Sequence, residues 1–311
     1  MSSLPGLGVL PRPLALDLRG RSLTRVCDLS AAELEAVLDL AADLKRRQAA
    51  REPHRLLEGR TLGLLFRRPS TRTRVSLEVA IAHLGGAAVH LPPAELQLAR
   101  GESLADTARV LSGYLDALAV RTGPQAEVDA LAAAASIPVV NALTDAEHPL
   151  QALADLLTIR ERLGGLEGIR LAWVGDGTNV CASLAAACTL LGVELVVACP
   201  PGYEPGCASP VTVVRDPREA AAGAHVLATD VWTSMGAEDE RARRARDLAP
   251  YALDERLLAL ADPEAIVLHC LPAHPGDEIS PGALYGPQSA VWEEAENRLH
   301  TAKALLALVL R

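Results

Sequence analysis

Aromatic side chains are scarce, with Phe, Trp and Tyr together making up 3% of the 311 residues. A core must therefore be built from Leu, Val, Ile and Ala, which dominate a hydrophobic fraction of 50%. Lysine is nearly absent, since Lys45 and Lys303 are the only two, and Arg supplies the other positive charges. Cations fall short of acids, 30 against 39, for a formal charge of −9. That deficit excludes a general binder of nucleic acid or anionic membrane, which would carry a basic excess. A phosphorylated ligand would have to be held by a local cluster working against the global charge. No apolar run reaches ~18 residues, so no membrane span is expected. Residues 1–15 lack a basic segment followed by an apolar one, and they read as a flexible extension rather than a secretory leader. Six cysteines (Cys27, Cys181, Cys188, Cys199, Cys207 and Cys270) include no Cys-x-x-Cys pair. They read as reduced residues of a cytoplasmic protein, not as a disulfide framework.

The apolar fraction is too high for intrinsic disorder, and the length suits two domains. The pattern alternates helix and strand. Ser30 followed by Glu33 makes a capping box at the head of an amphipathic helix running to about residue 50. TLGLLF at 61–66 reads as a buried strand, then a helix capped by Ser70 runs to the Gly85-Gly86 stop. AAVHL, DALAV and IPVV read as further strands, the last ending at Val140. Pro149 opens a long helix to about 163, ended by Gly164-Gly165, after which the alternation resumes. Unbroken apolar strands without two-residue alternation indicate parallel sheets covered on both faces. The expected fold class is thus α/β, with two doubly wound parallel-sheet domains joined by helices. Its boundaries are an extension at 1–15, a first domain at 16–148, a linking helix at 149–165, a second domain at 166–290, and a C-terminal helix at 291–311 that packs back on the first domain.

Ligands of open parallel sheets sit beyond the carboxyl ends of the strands, and the unusual polar residues of this chain fall there. In FRRPSTRTR, Ser70, Thr71, Arg72 and Thr73 open a helix whose free N–H groups, hydroxyls and exposed guanidinium suit a phosphate. A plain cap with solvated arginines is the competing reading. Arg121 ends another strand, and His148 with Gln151 opens the 149–165 helix. WVGDGTNV looks like a dinucleotide loop, but Val180 stands where the third glycine belongs and no acid ends the following strand. Asn179 still sits at a helix start. DVWTSMG brings Asp230, Ser234 and Met235, and HCLPAH brings His269, Cys270 and His274. The last set is too sparse for zinc, because no fourth ligand follows.

Together these segments resemble the transcarbamoylase family, in the branch that acts on ornithine. The matching pieces are PSTRTR at 69–74, LQLARGES around Gln97, DTARVLS at 106–112, HPLQALADLLTI at 148–159, DVWTSMG at 230–236, HCLPAH at 269–274 and EAENRLH at 294–300. They span nearly the whole chain from about residue 18. The resemblance implies carbamoyl phosphate bound by Ser70, Thr71, Arg72, Thr73, Arg121, His148, Gln151, Cys270, Leu271 and Arg298. It implies that Gln97 also binds carbamoyl phosphate, reaching into a neighbouring subunit's site within a homotrimer. Ornithine falls to Asn179, Asp230, Ser234 and Met235, with Arg72, Thr73, Arg121, His148 and Cys270 as the catalytic set.

No cofactor or metal is implied, because amine attack on carbamoyl phosphate needs only positioning and donors aimed at the developing oxyanion. The departures are Leu150, Thr178, Ala99 and above all Pro275, which removes a charge and a donor near the expected site. Putrescine or an N-acylated ornithine is the alternative amine substrate. A nicotinamide oxidoreductase and a non-catalytic scaffold are the rivals from other classes.

Overall fold

A computed structural model of the chain describes residues 18–233 and 240–311. The expected extension at 1–15 lies outside the described residues, as do Ser234 and Met235. The chain begins with α1 (Ala31–Ala49), where Glu33 accepts the Ser30 N–H at 2.8 Å while Ser30 Oγ accepts the Glu33 N–H at 3.3 Å. That is the expected capping box. Then follow β1 (Thr61–Phe66), α2 (Arg72–His83), β2 (Ala87–Leu91), α3 (Leu104–Ser112), β3 (Ala117–Arg121), α4 (Gln125–Ala134) and β4 (Val139–Leu143). These four strands form one parallel sheet in the order β2-β1-β3-β4.

Helix α5 (Pro149–Leu163) starts at its proline and stops at Gly164, whose φ of 79° is the left-handed conformation that glycine adopts without strain. Beyond it lie β5 (Arg170–Val174), α6 (Asn179–Leu191), β6 (Glu194–Ala198), β7 (Thr212–Val214), α7 (Pro217–Ala221) and β8 (Val226–Thr229). The chain ends with α8 (Arg241–Leu248), α9 (Glu255–Leu258), β9 (Ile266–His269), α10 (Pro281–Tyr285) and α11 (Val291–Leu310). The second sheet is also parallel, in the order β7-β6-β5-β8-β9. The fold is α/β with two parallel-sheet domains. Helix α11 packs against α1, α2 and α5, and its Leu305, Leu306, Val309 and Leu310 share one apolar cluster with the first sheet.

Local details correct the sequence reading in two places. Strand β4 runs to Leu143, three residues past the expected end at Val140. Its interior Asn141 is accommodated because the main-chain N–H bonds Leu23 and the side chain bonds the Thr24 carbonyl at 2.9 Å. Helix α2 starts at Arg72 with Thr71 as its N-cap, not at Ser70. Ser70 still serves the helix end, since its hydroxyl accepts the Thr73 N–H at 3.2 Å. Strand β7 escaped the sequence pattern because three residues, one exposed and two half-buried, carry no readable period.

Candidate active site

A cleft of about 860 Å³ opens between the carboxyl ends of the two sheets. The first domain lines it with Ser70, Thr71, Arg72, Thr73, Arg121 and His148. The second contributes Asn179, Asp230, Cys270 and Leu271, and Arg298 reaches in from α11. The connectivity explains the convergence. Apart from Arg298, which lies two turns into α11, each of these residues ends or follows a strand or stands at the start of a helix, so parallel topology brings them to one end.

The first-domain wall is cationic. Arg121 and Arg298 are buried, and Arg72 is half-buried. Among the described residues none of these three guanidiniums has a carboxylate within ion-pair distance. Burial and then the neighbouring Arg298, Arg68 and Arg72 push Arg121 down to about 10. Burial is also the first cause that brings Arg298 to about 10. His148 is held neutral, its pKa driven well below the ordinary histidine range by burial and by Arg298, Arg121 and Arg72. Arg121 Nε, Arg298 Nε and His148 Nδ1 are buried without a hydrogen-bond partner among the described residues. Unpaired buried cations are costly, so a site built of them is built to receive an anion.

Arg298 donates to Thr73 Oγ1 at 2.6 Å and to Gln151 Oε1. Gln151 therefore stands behind Arg298, and it is not among the residues that line the cleft. Arg72 spans the cleft and donates to the Leu271 carbonyl at 2.6 Å. This corrects the reading of Arg72 as an exposed first-turn residue: it links the two domains. Leu271 itself has a φ of 56°, which for a branched residue is strained and aims its carbonyl at Arg72.

The second-domain wall is acidic. Asp230 Oδ1 accepts the Val231 N–H at 2.7 Å and the Cys270 thiol at 3.0 Å, and Oδ2 accepts the Thr178 hydroxyl at 2.9 Å. One lone pair on Oδ2 stays open toward a further donor. Burial and then Asp230 raise Cys270 well above the ordinary thiol range, so it is a thiol and not a nucleophilic thiolate. Asp230, His269 and Cys270 lie close enough together to suggest a metal. Both His269 nitrogens are already engaged, with the Leu271 N–H at 2.9 Å and Glu278 at 3.2 Å, so the set offers no complete ligand sphere.

Gln97 is exposed on a short turn after β2 and does not line the cleft of its own chain. Leu150 faces the apolar core, and Pro275 is exposed and does not itself line the cleft, although its neighbour His274 does. Sequence reasoning missed Asp176, Trp232 and Arg244, which line the second-domain side. Arg244 pairs with Asp176, whose carboxyl burial lifts to about 6. Asp176 was findable, because it lies two residues past the end of β5. Arg244 sits in the arginine-rich α8, which by its pattern is only a solvated face.

Inorganic phosphate is expected to stabilise the free protein by filling the cationic wall. At a hundredfold excess over Kd the gain is ~2.7 kcal/mol, enough to raise Tm by several degrees. Thermal unfolding in phosphate and in chloride of matched ionic strength measures it. Equal melting in the two salts would refute an anion site here.

Known proteins match this arrangement over most of the chain. Residues 21–161 match the carbamoyl-P binding domain of aspartate/ornithine carbamoyltransferase, and residues 167–309 match the Asp/Orn binding domain. A curated ornithine carbamoyltransferase of Thermosynechococcus vestitus is 54% identical over 305 residues, 94% of this chain and 97% of that protein. The solved ornithine carbamoyltransferase of Pyrococcus furiosus superposes with a TM-score of 0.91 at 46% identity, covering 95% of this chain and 99% of that one. The Thermus thermophilus enzyme does so with a TM-score of 0.87 at 46% identity, covering 93% and 99%. With both halves matched and the cleft lying between them, the chain belongs to the aspartate/ornithine carbamoyltransferase family.

Proposed function

We infer that this protein transfers the carbamoyl group of carbamoyl phosphate to the δ-amine of L-ornithine, releasing L-citrulline and phosphate. The observation that carries the reading is the set of three buried or half-buried arginines that lack carboxylate partners among the described residues, facing a buried acid across one cleft. A dianionic acyl phosphate suits the first wall. A diamino acid suits the second, where Asp230 accepts its α-ammonium and Asn179 stands alongside.

In this reading the δ-amine attacks the carbonyl carbon, and negative charge builds on the carbonyl oxygen. Thr73, Arg121 and His148 stabilise that oxygen, Thr73 having its own hydroxyl proton free because its oxygen accepts from Arg298. Neutral His148 can donate a proton in a hydrogen bond without adding a further positive charge to the wall. The adduct collapses with cleavage of the C–O bond to phosphate, which takes up the proton lost by the attacking neutral amine and leaves toward Arg72 and the Ser70–Thr71 helix terminus, with Gln151 steadying Arg298. Cys270, a thiol bonded to Asp230, orients the amine end of ornithine near Leu271. Donors set in place before reaction are worth ~3–4 kcal/mol of barrier each. Residues 16–148 thus serve as the carbamoyl phosphate domain and 166–290 as the ornithine domain. Ser234 and Met235, assigned to ornithine by resemblance, lie outside the described residues.

Citrulline formation with ornithine, putrescine and N-acetylornithine in parallel tests the reading. Ornithine should be preferred by orders of magnitude, and equal turnover of putrescine would overturn the role of Asp230.

The reading extends to a homotrimer with shared sites, acting in the cytoplasm in arginine biosynthesis. Its support is the exposed Gln97 turn beside the edge strand β2, with Val75, Val89, Val110 and Tyr114 leaving apolar surface on the same domain. An open strand edge with apolar flanks favours cover by another copy. Free cysteines suit a reducing compartment, and among the described residues no helix is long and apolar enough to cross a membrane. Mixing a Gln97→Ala variant with an Arg72→Gln variant should regain activity through hybrid trimers. A fully active monomer by light scattering would sink the shared site.

A further inference from the structure

Behind the cationic wall, two carboxyls that take no part in the reading above lie buried against each other. Asp155 sits one turn after Gln151 on α5, and Glu294 sits one turn before Arg298 on α11. The two helices pack together, so the four side chains interlock. The Gln151 amide donates to Asp155 Oδ1 at 2.8 Å and to Glu294 Oε1 at 2.7 Å, while its oxygen accepts from Arg298. Glu294 Oε2 accepts the main-chain N–H of His269 at 2.8 Å. That N–H belongs to β9, an edge strand of the second sheet, immediately before Cys270. The pair therefore touches both domains at once.

Two carboxylates cannot both stay ionised at hydrogen-bonding distance inside a protein. Burial raises Asp155 to about 7 and Glu294 well above its ordinary range, and the two carboxyls hydrogen-bond to each other. Sharing one proton removes the repulsion and leaves one negative charge, which makes no ion pair with Arg298 but reaches it through Gln151 and offsets only part of its positive charge.

Resting on the carbamoyl-transfer reading, we propose that Asp155 and Glu294 are positioning residues, a proton-sharing pair that orients Gln151 and through it the Arg298 guanidinium, and that ties this orientation to the end of β9, the strand that leads into Cys270. Neither carboxyl lines the cleft or touches a substrate. Their action passes through Gln151 and Arg298.

The test uses isosteric amides in the full-length protein. Asp155→Asn or Glu294→Gln alone leaves one charge and one donated hydrogen, as in the parent pair, and each should stay within about threefold in kcat/KM. The double variant, Asp155→Asn with Glu294→Gln, removes the charge, and its kcat/KM for carbamoyl phosphate should fall at least tenfold. Its KM for ornithine should shift no more than twofold. Thermal unfolding, recorded alongside, separates positioning from folding, because a purely structural pair would lower Tm and leave the double variant's kcat/KM near the parent value. That result, or a tenfold loss in either single variant, overturns the proposal. Should the double variant not fold, the single variants still decide whether one shared proton suffices. Citrulline formation by the parent protein tests the underlying reading separately.

Discussion

Arg72→Gln is expected to lower kcat/KM for carbamoyl phosphate by about 10²–10³, the equivalent of ~3–4 kcal/mol of transition-state stabilisation. Gln keeps a donor at the helix terminus but removes the charge that faces the leaving phosphate. The variant should still fold. Arg72 is half-buried, and its contact across the cleft is one hydrogen bond to the Leu271 carbonyl at 2.6 Å, worth about 1 kcal/mol. That cost exceeds what a solvated arginine would show, because Leu271 belongs to the other domain. Citrulline assays with thermal unfolding in parallel measure both quantities. Near-normal kcat/KM would remove Arg72 from the phosphate site.

Asp230→Asn should raise the KM for ornithine by about ten- to a hundredfold, matching the ~1.5–3 kcal/mol of one charge-assisted hydrogen bond. Carbamoyl phosphate binding, followed alone by calorimetry, should hardly change, because its ligands stand mainly on the opposite wall. The contacts of Asp230 sharpen the competing explanation. It already accepts from Thr178, Val231 and Cys270, so it also organises its own loop. If that were its whole contribution, the variant would melt earlier and keep its ornithine KM. The same division of labour implies ordered binding, with the anion drawing the walls together before ornithine is held. Tight ornithine binding to the phosphate-free protein would contradict it.

Much of this molecule is visible in local sequence. The Ser30–Glu33 box, the Pro149 start and Gly164 stop of α5, and the buried strands follow from near neighbours, because caps and apolar runs act within a few residues. Parallel topology then sends every strand end to one cleft, which is why Arg121, His148 and Asp230 could be singled out one at a time. The edge of β4 was less legible. Asn141 looks like a strand breaker until Leu23 and Thr24, more than a hundred positions earlier, supply its partners.

Charge state and partnership were decided only in three dimensions. Sequence alone presents Arg72, Arg121 and Arg298 as three cations among thirty. Folding strips two of them of water and sets all three around a neutral His148. Asp176 and Arg244 find each other across 68 positions, and Asp155 on the mid-chain helix α5 meets Glu294 on the C-terminal helix α11. The pattern of side chains along a helix or strand determines which face is buried, and that much the residues settle by themselves. Which polar groups share that burial depends on long-range packing, and burial is what turns ordinary arginines and carboxyls into an anion site and a proton-holding pair.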